Sequence, residues 1–308
     1  MQWNRYLFRY DSIPQSKLPN MTLKYGRYLI ACLLSSILFL ATDQLYAQVQ
    51  EPEVMPTPRN VTSLQDAYSS GFGINIDMNN FGFGLGGEFR RVIAPQAEGY
   101  LKFGITGLRD ASEQTFTDFF FGQQIVPNKF RRAFAFPVLL GFRQRIFPDL
   151  IQENYRFFVS AAAGGVAAFS YPYYDDPQGF GYRFIGNELI QINADEFQQF
   201  SPTPINDIFQ GWSDGSWHFG GAGELKIGVD IGSNMARLNS VEFGYYFYYF
   251  PDGIQIMSPN QPSVLGTLQG RFVVLETDQN NNPIFEDFFS AQKFFGTPLI
   301  RFTFGWFW

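Results

Sequence analysis

The stretch FGFGLGGEFR, Phe81 to Arg90, sorts its side chains with a period of two. Phe81, Phe83, Leu85 and Phe89 fall on one face; Gly82, Gly84, Gly86, Glu88 and Arg90 fall on the other. Only an extended strand places every second residue on the same side, so this pattern dictates β-structure. A strand of a water-soluble sandwich buries its bulky face and wets a polar one. Here the second face is mostly glycine with a few ionised groups, too sparse for a solvated surface but suited to filling a narrow barrel. The bulky face is then left to point outward at hydrocarbon, the inversion that marks membrane barrels.

The same partition recurs along the chain. In GFGINID, Phe72, Ile74 and Ile76 oppose Gly71, Gly73, Asn75 and Asp77, and DMNN reads as the turn joining this run to the next in a hairpin. Further runs are carried by Leu101, Phe103 and Ile105, by Phe134, Phe136, Val138, Leu140 and Phe142, and by Tyr155, Phe157, Val159 and Phe169. Trp217, Phe219, Leu225, Ile227, Val229 and Ile231, then Val241, Phe243, Phe247 and Tyr249, continue the series to Ile300, Phe302, Phe304, Trp306 and Trp308. The expected fold is all-β: an antiparallel up-and-down transmembrane β-barrel of about eight strands over residues 69–308, with long outer loops. After the first hairpin, short and long connections alternate, as tight periplasmic turns and long outer loops require. The segment GRFVVLETDQNNNPIFEDFF, from Gly270, reads as a further hairpin, either a protruding ribbon or two more membrane strands, making about ten.

Composition excludes several alternatives. Charged residues are 16% of the chain and aromatic ones 19%, against about 25% charged in soluble domains. The mean hydropathy of −0.12 and the lack of repeated apolar runs of about 20 residues exclude a helical membrane protein. The one notable apolar run, Leu29 to Ala41, follows Lys24 and Arg27 and precedes the small residue Ala47. That is the make-up of a secretory signal peptide. Residues 1–47 are therefore expected to be a signal with an N-terminal extension, Met21 being the expected start, and the polar, proline-containing residues 48–68 a flexible periplasmic lead-in. Cys32 is the only cysteine; its LIAC context mimics a lipoprotein box, but the apolar run lies mostly after it. Cleavage after Ala47 leaves no disulfide or thiolate chemistry. With 22 Lys and Arg against 28 Asp and Glu, and residues 1–47 themselves net basic, the exported part repels polyanions, so no nucleic-acid partner is expected.

Inward positions carry the candidate chemistry. Arg90, Lys102, Arg143, Arg145, Arg156 and Lys226 map to the lower lumen beside Glu88, Glu224, Asp230 and Glu242. Unpaired charges there are costly, so a salt-bridged plug is expected. Nearer the outside the inward positions are small: Gly82, Gly84, Gly104, Thr106, Ala133, Ala135, Gly164, Gly220 and Ala222. With Asn75, Asp77, His218, Tyr246, Tyr248, Arg301 and Thr303 they outline a vestibule open to the exterior; alternatively the glycines simply let the tyrosines pack. The segments Tyr171 to Gly215 and Pro251 to Gly296 mix aromatics with Asp, Asn and Gln. That suits recognition of an envelope protein or glycan, or self-packing into a cap. His218, the sole histidine, shares a face with Ser216 and lies across the lumen from Asp77, without an acid positioned by sequence, so catalysis is not expected. No phosphate-binding glycine loop or EF-hand spacing is present, DDP at Asp175 to Pro177 being the nearest calcium candidate, and no cofactor is expected.

The chain ends in LIRFTFGWFW. Phe302, Phe304, Trp306 and Trp308 read as the lipid face of the closing strand, with both tryptophans at the inner interface. An aromatic last residue on such a strand is similar to the signal read by the outer-membrane barrel assembly machinery, an expected partner together with outer-membrane lipid. The export signal, the glycine-rich first hairpin, FAFPVLLGFR (Phe134 to Arg143) and the aromatic end together resemble the small outer-membrane β-barrels of Bacteroidetes, the PorT-like group. Some members of that group are similar to components of gliding or protein-secretion systems, although the long aromatic loops here depart from its compact pattern. The resemblance implies a Gram-negative outer-membrane location and a non-enzymatic binding, structural or envelope-complex role, with a link to protein secretion. The alternatives are a narrow channel and a lipid-modifying enzyme.

Overall fold

The computed structural model describes residues 68–117, 124–147, 154–232 and 236–308. The expected signal peptide, the Met21 start and nearly all of the lead-in lie outside the described residues. Eight strands close into an antiparallel barrel: β1 Ser70–Asn79, β2 Gly82–Ala94, β3 Ala97–Leu108, β4 Arg131–Arg145, β5 Tyr155–Pro172, β6 Ser216–Ile231, β7 Arg237–Ile254 and β8 Gln292–Phe307. Each strand pairs with its neighbours in sequence, and β1 pairs with β8 to close the wall. The closing register places Asn75 opposite Thr303 and Asp77 opposite Arg301. It extends past the strand ends, where the Ser69 and Ser70 amides both donate to the Trp308 carbonyl. No backbone edge is left along the wall, which is what a non-aqueous surrounding demands.

β2 leads into β3, β4 into β5 and β6 into β7 at one end of the barrel, the end of the short connections, and β1 into β2, β3 into β4, β5 into β6 and β7 into β8 at the other. The first turn corrects the expectation for DMNN. Asp77, Met78 and Asn79 stay in β1, and the chain reverses at Asn80 and Phe81, where the Asn79 carboxamide oxygen accepts the Phe81 amide at 2.8 Å. Gly82 follows at φ 120°, which is open to glycine alone. This reversal swings Phe81 off the outer face expected for it and against Tyr248 and Phe295 inside the mouth.

The wall is inverted relative to a soluble protein. Phe83 (75% exposed), Leu140 (71%), Phe219 (71%) and Ile227 (62%) project outward, while Glu88, Arg90, Glu224, Glu242 and Arg301 are fully buried inside. Glycine makes room for the inward-facing bulk. A Cβ at Gly141 would lie 2.3 Å from the Tyr100 ring, so only glycine lets that ring cross the lumen. Pro137 sits inside β4 although it lacks an amide donor. The β3–β4 pairing breaks at that level, running from Phe103–Val138 to Thr106–Ala135.

Eight strands, not ten, form the barrel. Phe272–Leu275 joins a separate four-stranded sheet in the order Val264–Leu268, Phe272–Leu275, Glu188–Asn193 and Glu196–Gln199, its pairing with Glu188–Asn193 being parallel. Asn260–Pro262 pairs with Phe285–Asp287. Residues 173–215 and 255–291 thus fold together around buried Phe184, Ile190 and Leu275, with Phe184 stacked on Phe200 at 4.1 Å.

Candidate functional site

Alternation on β1, β3, β6, β7 and β8 delivers charged side chains to one level of the lumen. Arg301 on β8 places Nε 2.6 Å from Asp77 Oδ1 and Nη2 3.0 Å from Glu224 Oε2. Lys102 reaches the same two acids at 3.4 and 3.1 Å and lies 4.1 Å from the centre of the Tyr246 ring. Tyr246 donates its hydroxyl to Asp77 at 2.8 Å, and Tyr100 donates to Glu224 at 3.0 Å. Each carboxylate therefore has both a cation and a neutral donor, which a buried charge requires.

The network continues toward the end holding the short connections. Lys226 bridges Glu224 and Glu242 at 2.9 and 2.7 Å, and Arg143 reaches Glu242 at 2.6 Å and Asp230 at 3.4 Å. Arg145 contacts Glu98 and Asp230 at 3.1 and 3.3 Å, and Arg90 pairs with Glu88. Asn75 donates to Glu88 at 3.3 Å and accepts from Thr303 at 2.9 Å. Arg156 stands at the rim, opposite Asp230 in register, with Nη1 2.9 Å from the Gly232 carbonyl. In the buried lumen, Asp77, Glu88, Glu98, Glu224, Asp230 and Glu242 face Arg90, Lys102, Arg143, Arg145, Lys226 and Arg301. The opposing charges are equal in number, so this buried set carries no formal net charge.

Glu98 and Tyr100 were not singled out from sequence, although both share the inward parity of Lys102 and could have been found by it. Of the two readings of the upper lumen, vestibule or packing around the tyrosines, the contacts fit the second. Asp77, Tyr246 and Arg301 belong to the ion-pair network, Asn75 caps Glu88, and Tyr248 is fully buried. Above them Tyr248, Phe250, Ile254, Ile256, Phe295 and Leu299 pack into an apolar plug with Ala135, Val166, Ala168 and Ala222. Gly220 is covered by Phe250, whose Cδ1 would sit 2.9 Å from an added Cβ. The small residues thus accommodate large neighbours from β7, β8 and the loop beyond.

His218 stands apart from that set. Its Nε2 lies 2.9 Å from Ser170 Oγ and 3.4 Å from Ser216 Oγ, while Asp77 is engaged by Arg301. Asp77 is thus not the acid partner of His218; the carboxylate that acts on the imidazole is Asp252. Among the described residues no group of three or more His, Cys, Asp and Glu is placed to hold a metal ion.

On the terminal strand Phe304, Trp306 and Trp308 are more than half exposed and Phe302 is half-buried. Phe307 turns inward and packs with Leu238, Tyr68 and Val92. Hollows among the described residues also lie outside the lumen. One of about 640 Å³ sits on the outer wall between Phe142, Val159, Ala161, Leu225, Ile227, Phe243 and Tyr245. Another of about 400 Å³ lies in the outer loops between Asp175, Asp176, Phe180, Tyr182, Phe200 and Pro202. Its aromatic side is formed by the loops' own core, and Asp176 is held by the Phe180 and Gly181 amides at 3.0 and 2.7 Å.

No protein-family model matches the chain, and no curated protein matches it. Among solved structures, the N-terminal β-barrel domain of Pseudomonas aeruginosa OprF is similar at 9% identity and a TM-score of 0.28, covering 77% of this chain and 98% of that one. Ail, the attachment invasion locus protein of Yersinia pestis, in complex with the heparin analogue sucrose octasulfate, is similar at 8% identity and a TM-score of 0.27. That match covers 77% of this chain and 94% of Ail.

Proposed function

We propose that this chain is a Gram-negative outer-membrane barrel that works without catalysis, as a closed anchor presenting a folded outer-loop module for binding within the cell envelope. The observation that carries this reading is the inversion of the wall: a belt of exposed bulky apolar side chains surrounds a lumen of paired charges. In water each exposed Leu, Ile or Phe of the belt would forgo about 1.5–3 kcal/mol of burial; in lipid that cost disappears. The ion-pair network and the apolar plug above it oppose the narrow-channel alternative, and the engagement of Asp77 by Arg301, away from His218, counts against the lipid-modifying enzyme.

Bilayer lipid is the partner of the belt, and the barrel assembly machinery reads Phe302, Phe304, Trp306 and Trp308. The outer module, with its 400 Å³ hollow beside Asp175, is the surface for an envelope protein or a glycan. The PorT-like resemblance adds a secretion-linked complex as the finer reading. Fractionation of the producing cell tests location: recovery in the soluble or inner-membrane fraction overturns it. Planar-bilayer recording tests closure, where steady open currents from the purified chain favour a channel. Co-purification from intact outer membranes with an envelope protein supports the binding role, and recovery of the barrel alone, with no glycan retained, refutes it.

A further inference from the structure

The outer rim of the barrel is not the same all round. Tyr171 lies on the outward-facing side of β5, two residues beyond Phe169, yet it is fully buried. Trp212 covers it, with ring centroids 5.9 Å apart, and Phe134 and Phe169 flank it at 6.1 and 6.0 Å. Residues 205–215 therefore fold over the outside of the wall.

That fold is fixed by several hydrogen bonds. The Asn206 amide donates to the Tyr173 carbonyl at 3.0 Å, and Arg132 Nη1 donates to the carbonyls of Asn206 and Asp207 at 3.2 and 2.8 Å. Asp207 Oδ1 accepts the amides of Phe209 and Gln210 at 2.8 and 2.7 Å, and Gly211 turns the chain at φ 82°. A segment held this firmly nevertheless leaves Ile208 57%, Phe209 71% and Trp212 44% exposed. Phe209 packs edge-on to Trp212 at 5.3 Å, Trp212 to Phe169 at 6.3 Å, and Phe169 on Trp217 of the wall at 5.0 Å. The apolar surface of the loop is thus continuous with the belt.

We propose that residues 205–212 are seated in the outer leaflet, at the boundary between headgroups and acyl chains, with bilayer lipid as the occupant. This inference rests on the membrane reading above and extends the belt upward on the β5–β6 side. Continuity with the belt identifies the occupant, and Trp212 at the junction suits a boundary where one side is apolar and the other wet.

The test places a nitroxide on the full chain, Cys32→Ser throughout, folded into phosphatidylcholine vesicles. Phe209→Cys reports the loop, Leu140→Cys the belt, and Gln279→Cys the distant loop tip. Collision rates with oxygen and with a water-soluble nickel chelate are compared at each site. The expected result is oxygen-dominated collision at Phe209, shallower than at Leu140, and nickel-dominated collision at Gln279. Nickel-dominated collision at Phe209 with a lipid-like Leu140 overturns this inference and leaves the barrel reading standing; a water-like Leu140 overturns both. Spin–spin broadening at Phe209 that vanishes on dilution with unlabelled chain assigns the face to a second copy and overturns the lipid assignment.

Discussion

Arg301 and Asp77 face each other across the seam that closes the barrel, Nε to Oδ1 at 2.6 Å, both buried. One lies on the last strand and the other on the first, so the pair ties the ends of the wall together through the lumen. Arg301 also holds Glu224 at 3.0 Å and approaches Glu242 at 3.7 Å. Substitution Arg301→Met removes the cation shared by these three carboxylates and leaves six buried acids facing five buried bases in a closed interior. Loss of one partner from a buried pair costs about 3–5 kcal/mol, and the urea midpoint of the refolded barrel should fall accordingly. An unchanged midpoint would show that water reaches the cluster and screens it.

The belt makes a contrasting prediction. Leu140 is 71% exposed on the wall and Leu265 is 65% exposed on the outer sheet, so exposure alone does not distinguish them. If the wall lies in lipid, Leu140→Arg destabilises by about 2–4 kcal/mol near the bilayer midplane, whereas Leu265→Arg stays within about 0.5 kcal/mol. Equal effects in reversible unfolding from lipid vesicles would count against embedding.

Glu188 anchors the outer module. Its carboxylate is buried and accepts the Tyr182 hydroxyl at 3.0 Å and the Gly186 amide at 2.9 Å. Glu188→Ala leaves those donors unsatisfied, at about 1–3 kcal/mol, in a module that shares no sheet with the barrel. Limited proteolysis should cut within 173–215 or 255–291 faster, while the barrel fragment stays intact. Cleavage of the barrel at the same rate would show that the two unfold together.

Tyr182 and Tyr174 supply a pH test outside the wall. Burial raises both phenols well above the ordinary tyrosine value, with the neighbouring Glu188 adding to Tyr182 and Asp176 to Tyr174. The folded state thus keeps its phenolic protons where the unfolded chain loses them, near pH 10. The stabilisation is complete below that pH and is lost as pH rises above it. Absorbance at alkaline pH should show tyrosinate appearing late in the folded protein, and Tyr182→Phe should lessen the alkaline loss of the module. Full titration near pH 10 without unfolding would contradict the burial.

Much of the architecture was legible because period-two alternation is local. Once Phe83 and Leu85 are outward, Gly84 and Gly86 must be inward, and that parity carries through each strand. Parity also singled out most charged positions, such as Arg90 and Lys226. It failed where the chain leaves regular strand: Phe81 keeps the parity of an outward residue, but the turn at Gly82 rotates it into the mouth. It placed Tyr248 and Gly220 inward correctly but left open what lies between them, because small inward residues look like empty space until the partner that fills it is known. Phe250, which covers Gly220, comes from another strand.

The sequence by itself determined the strands, their two faces and the segregation of charge from bulk, because side-chain direction along a strand depends only on counting by two. Tertiary structure alone decided which charges meet, what fills the mouth and how the outer loops pair. Asp77 and Arg301 are separated by almost the whole described chain. Only the register of the closing strands, fixed by the barrel's stagger, brings them within hydrogen-bonding distance.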